Sequence, residues 1–346
     1  MKAIKNLAIV GATGLVGQTF LKVLDEHDFP FENLHLFASA RSAGSELRFR
    51  GKSYKVREAR SDSFEGIDLA LFSAGKKASL ALAPYAAASG CVAVDNSSAW
   101  RMHPHAPLGV PEVNPDALGS HLGIIGNPNC STIQMVVALK PIRDNFGLKR
   151  VIVSTYQAVS GAGQKGIDQL ESELSGTKPE RRISPHQLAN NLVFHDFDSG
   201  CDYSEEEIKM ENETRKILSE PDLLISATCV RVPIVGAHGE AVPFETEQPF
   251  TIDAIPEVLK KQKGVVLKDN PETNEYPLVT EANGRDEVFV GRLRRDRSVE
   301  NGGWMWVVSD NVRKGAATNA VQIAEVLLRN DNLAFDREES KKIFLP

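Results

Sequence analysis

The sequence has little that would tie it to metal, membrane or nucleic acid. Its four cysteines, Cys91, Cys130, Cys201 and Cys229, are dispersed, with no Cys-x-x-Cys pair and no metal-ligand spacing. That dispersion argues against a disulfide framework and against structural zinc. No metal is expected, and a reducing, cytoplasmic setting fits best. No stretch approaches the roughly 18 apolar residues of a membrane helix. The apolar run Leu7–Val10 is followed at once by glycines and is far too short for a signal-peptide core. Basic excess is missing as well, since the formal net charge is -6. A mildly acidic surface gives no reason to expect a nucleic-acid or membrane partner, so any anionic ligand must be held by local charges.

What is present is a chain of 346 residues, enough for two domains with separate cores. Short apolar runs at Leu7–Val10, Leu34–Ala38, Ile67–Ser73, Cys91–Val94 and Gly123–Ile125 alternate with helical patterns, including an Ala/Leu-rich one around Lys76–Ala88. Such alternation predicts a parallel sheet covered on both faces. Later runs, Val151–Ala158, Leu223–Val232, Val288–Leu293 and Trp304–Ser309, have fewer helices between them and predict a more antiparallel sheet. The polar segment 171–207 reads as a helical or irregular excursion, with Glu205–Glu207 as a solvated helix face. An amphipathic helix, Arg313–Leu328, is expected to pack back on the first domain. The expected division is 1–131 with 314–346, and 132–313.

Glycines at 11, 14 and 17 follow the first strand and open a helix, in the order Gly11-Ala12-Thr13-Gly14-Leu15-Val16-Gly17. Glycine there allows a tight turn, and the helix N-terminus favours a pyrophosphate. The spacing is a variant of the dinucleotide fingerprint. An NAD site usually carries an acidic residue after the second strand. Here Ser39, Arg41 and Ser42 stand instead, which suits the 2′-phosphate of NADP.

The stretch Gly126-Asn127-Pro128-Asn129-Cys130-Ser131-Thr132 ends a strand and begins a helix. A cysteine at a helix N-terminus is favoured as thiolate, the form that acts as nucleophile. Cys91 and Cys229 lie inside apolar strand patterns and are expected to be inert.

These motifs, with Gln157, Ser160-Gly161-Ala162-Gly163, Arg231-Val232-Pro233, His238 and Asn311, run in order along nearly the whole chain and resemble the aspartate-semialdehyde dehydrogenase family. The resemblance implies an α/β protein. A Rossmann-like N-terminal domain with a parallel sheet would be joined to an α+β catalytic and dimerisation domain with a mixed, largely antiparallel sheet. It implies reversible NADPH-dependent reduction of aspartyl 4-phosphate to aspartate semialdehyde, through a thioester on Cys130, in lysine, threonine and methionine biosynthesis. His238, in what looks like an open loop, would be the general acid/base, and Gln157 would touch the substrate or orient the acyl group. Arg231 would take the substrate carboxylate and Glu206 its amino group. Arg101, Asn129 and Lys209 would bind phosphate. Ser160, Gly161 and Asn311 would join the glycine loop in contacting the cofactor. A homodimer is implied too. A reductase of another acyl phosphate such as acetylglutamyl phosphate, a nucleotide-binding regulator and a cysteine hydrolase stay as alternatives.

Overall fold

Strand β1 (Ile4–Val10) is buried from Leu7 to Val10 on both faces, as a strand inside a covered parallel sheet must be. The computed structural model describes residues 4–197 and 200–345. After β1 come α1 (Leu15–Glu26), β2 (Phe31–Ala38), the hairpin β3 (Glu46–Phe49) and β4 (Lys52–Lys55), then β5 (Arg57–Glu58), β6 (Leu69–Phe72), α2 (Lys76–Ala88), β7 (Val92–Asp95) and β8 (Ile124–Gly126). The sheet order is β5-β2-β1-β6-β7-β8, every pairing parallel. Strand order reverses between β1 and β6. In open α/β sheets, the crevice at the carboxyl ends of the strands flanking that reversal is where dinucleotides bind.

The chain then enters a second unit with α3 (Cys130–Phe146), β9 (Arg150–Gln157), α4 (Gln164–Leu174), β10 (Val193–Phe194), α5 (Glu205–Leu218), β11 (Leu224–Arg231) and β12 (His238–Glu245). It continues through α6 (Ala254–Leu259), β13 (Val265–Leu267), α7 (Val279–Ala282), β14 (Val288–Arg295) and β15 (Gly302–Ser309). The sheet order is β10-β11-β9-β12-β15-β14-β13. Pairs β11–β9 and β13–β14 are parallel, and the others antiparallel. Strands β9 and β11 alternate buried with more exposed residues, so one face is covered. Helix α3 packs on β12, β14, β15 and on α5, which lies against β11. The chain finally returns to the first unit through α8 (Thr318–Arg329) and α9 (Arg337–Phe344). There α8 buries Ala320, Val321, Ile323 and Leu327 in the same cluster as Phe20 and Leu24 of α1.

The units are 1–128 with 316–346, and 129–315. Cys130 therefore falls in the second unit, whereas the sequence reading gave residues up to 131 to the first. The physical reason is that α3 begins at Cys130 and packs along its length on second-unit elements. Two local expectations also change. His238 is the first residue of a strand and fully buried, not part of an open loop. Glu206 and Glu207 are buried and only Glu205 is exposed, so the glutamate run is not a solvated face. In the excursion that precedes it, Asp198 and Ser199 lie outside the described residues.

Candidate active site

Asn129 starts helix α3. Its side-chain oxygen accepts from the backbone N–H of Ser131 and Thr132 at 3.0 and 3.3 Å, the usual way of satisfying free donors at a helix start. Its other groups face α5. The amide Nδ2 donates to Glu206 Oε1 at 2.8 Å, and the backbone N–H donates to Glu213 Oε2 at 2.6 Å. Cys130 is thus the first residue of a helix whose N-terminus is fixed at three points. The residual positive end of the helix dipole lies at its sulfur.

His238 Nε2 stands 3.4 Å from Cys130 Sγ. On the other side of the ring, Ala158 N–H donates to Nδ1 at 2.9 Å. An amide N–H can only donate, so Nδ1 accepts, and a neutral ring carries its proton on Nε2, facing the sulfur. Burial first, and then the Arg231 guanidinium, drive the His238 pKa down to about 3. At neutral pH this histidine is a hydrogen-bond donor to the cysteine.

Arg231 ends β11 beside this pair. It donates through Nη1 to Ala158 O and through Nη2 to His195 Nδ1, both at 3.3 Å. His195 is held neutral as well. Burial lowers its pKa to about 4, with Arg231 and Lys209 adding to the effect and Glu206 opposing it. Glu206 accepts from Asn129 and from Gln157 Nε2 at 3.2 Å, and Lys209 Nζ lies 3.7 Å away. Burial alone would raise its carboxyl. His195, Lys209 and the hydrogen bonds from Asn129 and Gln157 outweigh that and hold it at about 2. Glu206 is therefore a buried carboxylate at neutral pH. A cavity of about 310 Å³ opens beside it, lined by His195, Asp196, Phe197, Glu205, Glu206 and Lys209. Gln157 Nε2 also donates to Ser131 Oγ at 2.9 Å. Ser160 and Asn311 hydrogen-bond to each other, with Asn311 Nδ2 3.0 Å from Ser160 Oγ. A Cβ at Gly161 would sit 3.5 Å from His238 Nε2 and 3.6 Å from Arg231 Nη1, so the bare backbone there borders the site.

The second unit thus brings together Cys130, His238, Gln157, Arg231, Glu206, Asn129, Lys209 and Gly161, with Ser160 on the turn that carries Gly161 and Asn311, just past β15, bonded to it. The other predicted residues belong to the first unit. Gly11 has φ +88°, and a Cβ on it would fall 2.3 Å from Ser73 O. A Cβ on Gly17 would fall 2.2 Å from Gly11 O. Gly14 is the N-cap of α1 and supplies no side-chain cap, so backbone donors of Leu15, Val16 and Gly17 are open to an anion. Thr13 lies in the same turn. A loop shaped by contacts that only glycine tolerates, leading to an uncapped helix start, fits a pyrophosphate. Ser39, Arg41 and Ser42 follow β2 in a turn, with Ser39 O accepting from the N–H of Ser42 and Ala43; Arg41 is exposed. Arg101 is buried, its guanidinium donating to Asn127 O at 2.9 Å and Asn96 O at 2.7 Å.

Sequence reasoning missed His195, the Ala158 backbone, Glu213, Ser131, Gln134 and Glu240. None carried a local signal: even Glu240, two residues past His238, shares its face only through a strand that Gly236-Ala237-His238-Gly239 does not announce.

Two family models match the chain: "Semialdehyde dehydrogenase, NAD binding domain" over residues 6–121 and "Semialdehyde dehydrogenase, dimerisation domain" over 139–314. The aspartate-semialdehyde dehydrogenase of Aquifex aeolicus is 54% identical over 335 residues, covering 94% of this chain and 98% of the relative. Among solved structures, aspartate semialdehyde dehydrogenase II of Vibrio cholerae, complexed with ASA, superposes with a TM-score of 0.90 at 45% identity, covering 95% of this chain and 99% of that one. The Candida albicans aspartate semialdehyde dehydrogenase with NADP superposes at 0.77 with 25% identity, covering 95% and 100%.

Proposed function

The chain belongs to the aspartate-semialdehyde dehydrogenase family, and from that premise we propose that it reversibly reduces L-aspartyl 4-phosphate to L-aspartate 4-semialdehyde and phosphate. The reaction serves amino-acid biosynthesis and would run in the cytoplasm. The observation that carries the reading is Cys130 at the start of α3, 3.4 Å from a buried His238 Nε2 and flanked by Arg231 and by ionised Glu206.

In the reductive direction, the Cys130 thiolate attacks the acyl carbon, a C–S bond forms, and phosphate leaves with the electrons of the broken C–O bond. Helix α3, Arg231 and the His238 Nε2–H all favour the thiolate that starts this step. Arg101, Asn129 and Lys209 are assigned to the phosphate, and Arg231 to the substrate carboxylate, which a guanidinium fork matches. Buried Glu206 calls for a cation, so it is assigned to the substrate ammonium. That preference for a free amine is why an N-acylated acyl phosphate fits less well. The glycine loop with Ser39, Arg41 and Ser42 would hold NADP, with Ser160, Gly161 and Asn311 as further contacts. NADPH, when bound, supplies the hydride that reduces the thioester. The alkoxide on the Cys130-linked carbon then accepts a hydrogen bond from His238 Nε2–H. Its collapse re-forms the thiolate and leaves the aldehyde. His238 Nε2–H serves in this scheme as the hydrogen-bond donor, first to the thiolate and then to the alkoxide, and Gln157 orients the acyl group.

A homodimer through the second unit is part of the same reading. The dimerisation-domain match covers 139–314, and Tyr156 of β9 and Leu224 of β11 are exposed. Light scattering giving a monomer mass alone would count against it. For the activity, purified protein is mixed with aspartate semialdehyde and NADP, with and without phosphate. Phosphate-dependent NADPH formation is expected. An intact, NADP-binding protein that gives none would falsify the reading.

A further inference from the structure

One histidine beside Arg231 has no part in the proposed reaction. His195 is delivered there by a packed strap. Glu173 of α4 accepts the backbone N–H groups of Leu188 and Ala189 at 2.6 and 3.0 Å, and Leu188, Ala189 and Val193 are buried together with Val159 and Leu170. Strand β10 then pairs with β11, Val193 opposite Arg231 and Phe194 opposite Val230. His195 follows at once, beside the end of β11 that carries Arg231. Its Nδ1 lies 3.3 Å from Arg231 Nη2. Its Nε2 is buried without a partner, so among the described residues the Arg231 contact is the ring's only hydrogen bond.

A guanidinium N–H can only donate, so Nδ1 accepts and the ring is neutral, with its proton on Nε2. Burial, the largest effect, favours the same neutral form against the pull of Glu206. The other anchor of Arg231 is Ala158 O, also at 3.3 Å. Both partners are uncharged. A carboxylate in either place would cancel the positive charge and compete with an anionic ligand. A neutral acceptor fixes the guanidinium and leaves its charge and its remaining donors for the ligand. We propose that His195 is a positioning residue for substrate recognition, a neutral acceptor that holds the Arg231 guanidinium in the orientation that receives the substrate carboxylate. His195 acts through Arg231 and is assigned no contact with the reacting atoms. This role rests on the function proposed above, which gives Arg231 that carboxylate.

The test compares His195→Asn and His195→Leu with the wild-type full chain. Asparagine Oδ1 falls where Nδ1 stands and keeps the acceptor; leucine fills the space without one. His195→Leu should raise the KM for aspartate semialdehyde about tenfold or more, as for a lost hydrogen bond to a charged group. Its KM for phosphate, its NADPH Kd and its kcat should stay within about threefold of wild type. His195→Asn should recover most of the semialdehyde KM. Comparable losses in all of these constants would mean a merely structural role and overturn the proposal. So would an asparagine variant as impaired as the leucine one, or a leucine variant with the wild-type KM. A second measurement needs no substrate. Long-range proton–nitrogen NMR correlations of the imidazole rings near neutral pH, with His195→Asn to identify the signal, should place the His195 proton on Nε2. A proton on Nδ1, or on both nitrogens, overturns the proposal. A wild type with the Nε2–H form but without semialdehyde turnover counts against the proposed function alone.

Discussion

The glycine loop of the first unit and the cysteine pocket of the second are built on opposite principles. The loop is made of backbone. Gly11 and Gly17 are required because a Cβ would strike Ser73 O or Gly11 O, and the groups offered to a ligand are main-chain donors at an uncapped helix start. The pocket is made of side chains that have been desolvated. His238, Glu206, Gln157 and Asn129 are all buried, and two of them have strongly displaced pKa values. A backbone site depends on a local turn. A side-chain site depends on every element that keeps water out.

The sharpest way to break this contrast is Cys130→Ser. Turnover should fall on the order of 10⁴-fold, as for loss of a covalent nucleophile, while NADPH binding measured by fluorescence stays as in wild type. A parallel loss of cofactor affinity would mean the two sites are not separable in this way. Next in size is Glu206→Ala, which removes one partner of a buried charged network. About a hundredfold in kcat/KM for the semialdehyde is expected, with NADPH affinity unchanged; an equal loss for substrates lacking the amino group would move Glu206 out of ammonium binding. In the first unit, Arg41→Ala should raise the NADPH Kd about tenfold or more and leave that of NADH nearly unaltered. Equal weakening of both would remove the 2′-phosphate assignment.

The smallest effect is on stability. His238 has a folded pKa of about 3 against 6.5 when unfolded, and Glu206 about 2 against 4.5. Both are depressed. The stability each contributes is present above its unfolded value and is lost as pH falls below it, first for His238 below about pH 6.5 and then for Glu206 below about pH 4.5. The unfolding free energy from urea titrations should therefore drop by up to about 1.4 kcal/mol per pH unit for His238 as pH falls from about 6.5 towards about 3. His238→Asn should flatten that part of the curve. A variant with the wild-type slope would show that His238 is not the buried neutral group.

The first unit was the more legible in the sequence, and its chemistry explains why. Three evenly spaced glycines between a strand and a helix are a local pattern, and the parallel order of β1, β2 and β6 follows from alternating apolar runs. Cys130 was legible for the same reason, since a Pro-Asn turn before a helical pattern is local too. The rest of the pocket was not. Glu206 sits in a run of three glutamates that looks solvated until α5 packs against β11 and α3. His238 was recognisable only through resemblance, because nothing in Gly236-Ala237-His238-Gly239 announces a strand. His195 lies in an excursion with no periodicity to place it.

By itself the sequence determined the main strands of the first sheet, the start of α3, the glycine turn and the nucleophile's position, because each is fixed by residues within a few positions of one another. Only the tertiary structure decided which side chains share the pocket and in which ionisation state. It set Ala158 N–H against His238 Nδ1, left Glu206 charged, and held His195 neutral beside Arg231. Ionisation states are set by desolvation and by partners from distant elements, and those exist only once β9, β11, β12, α3 and α5 have closed on one another.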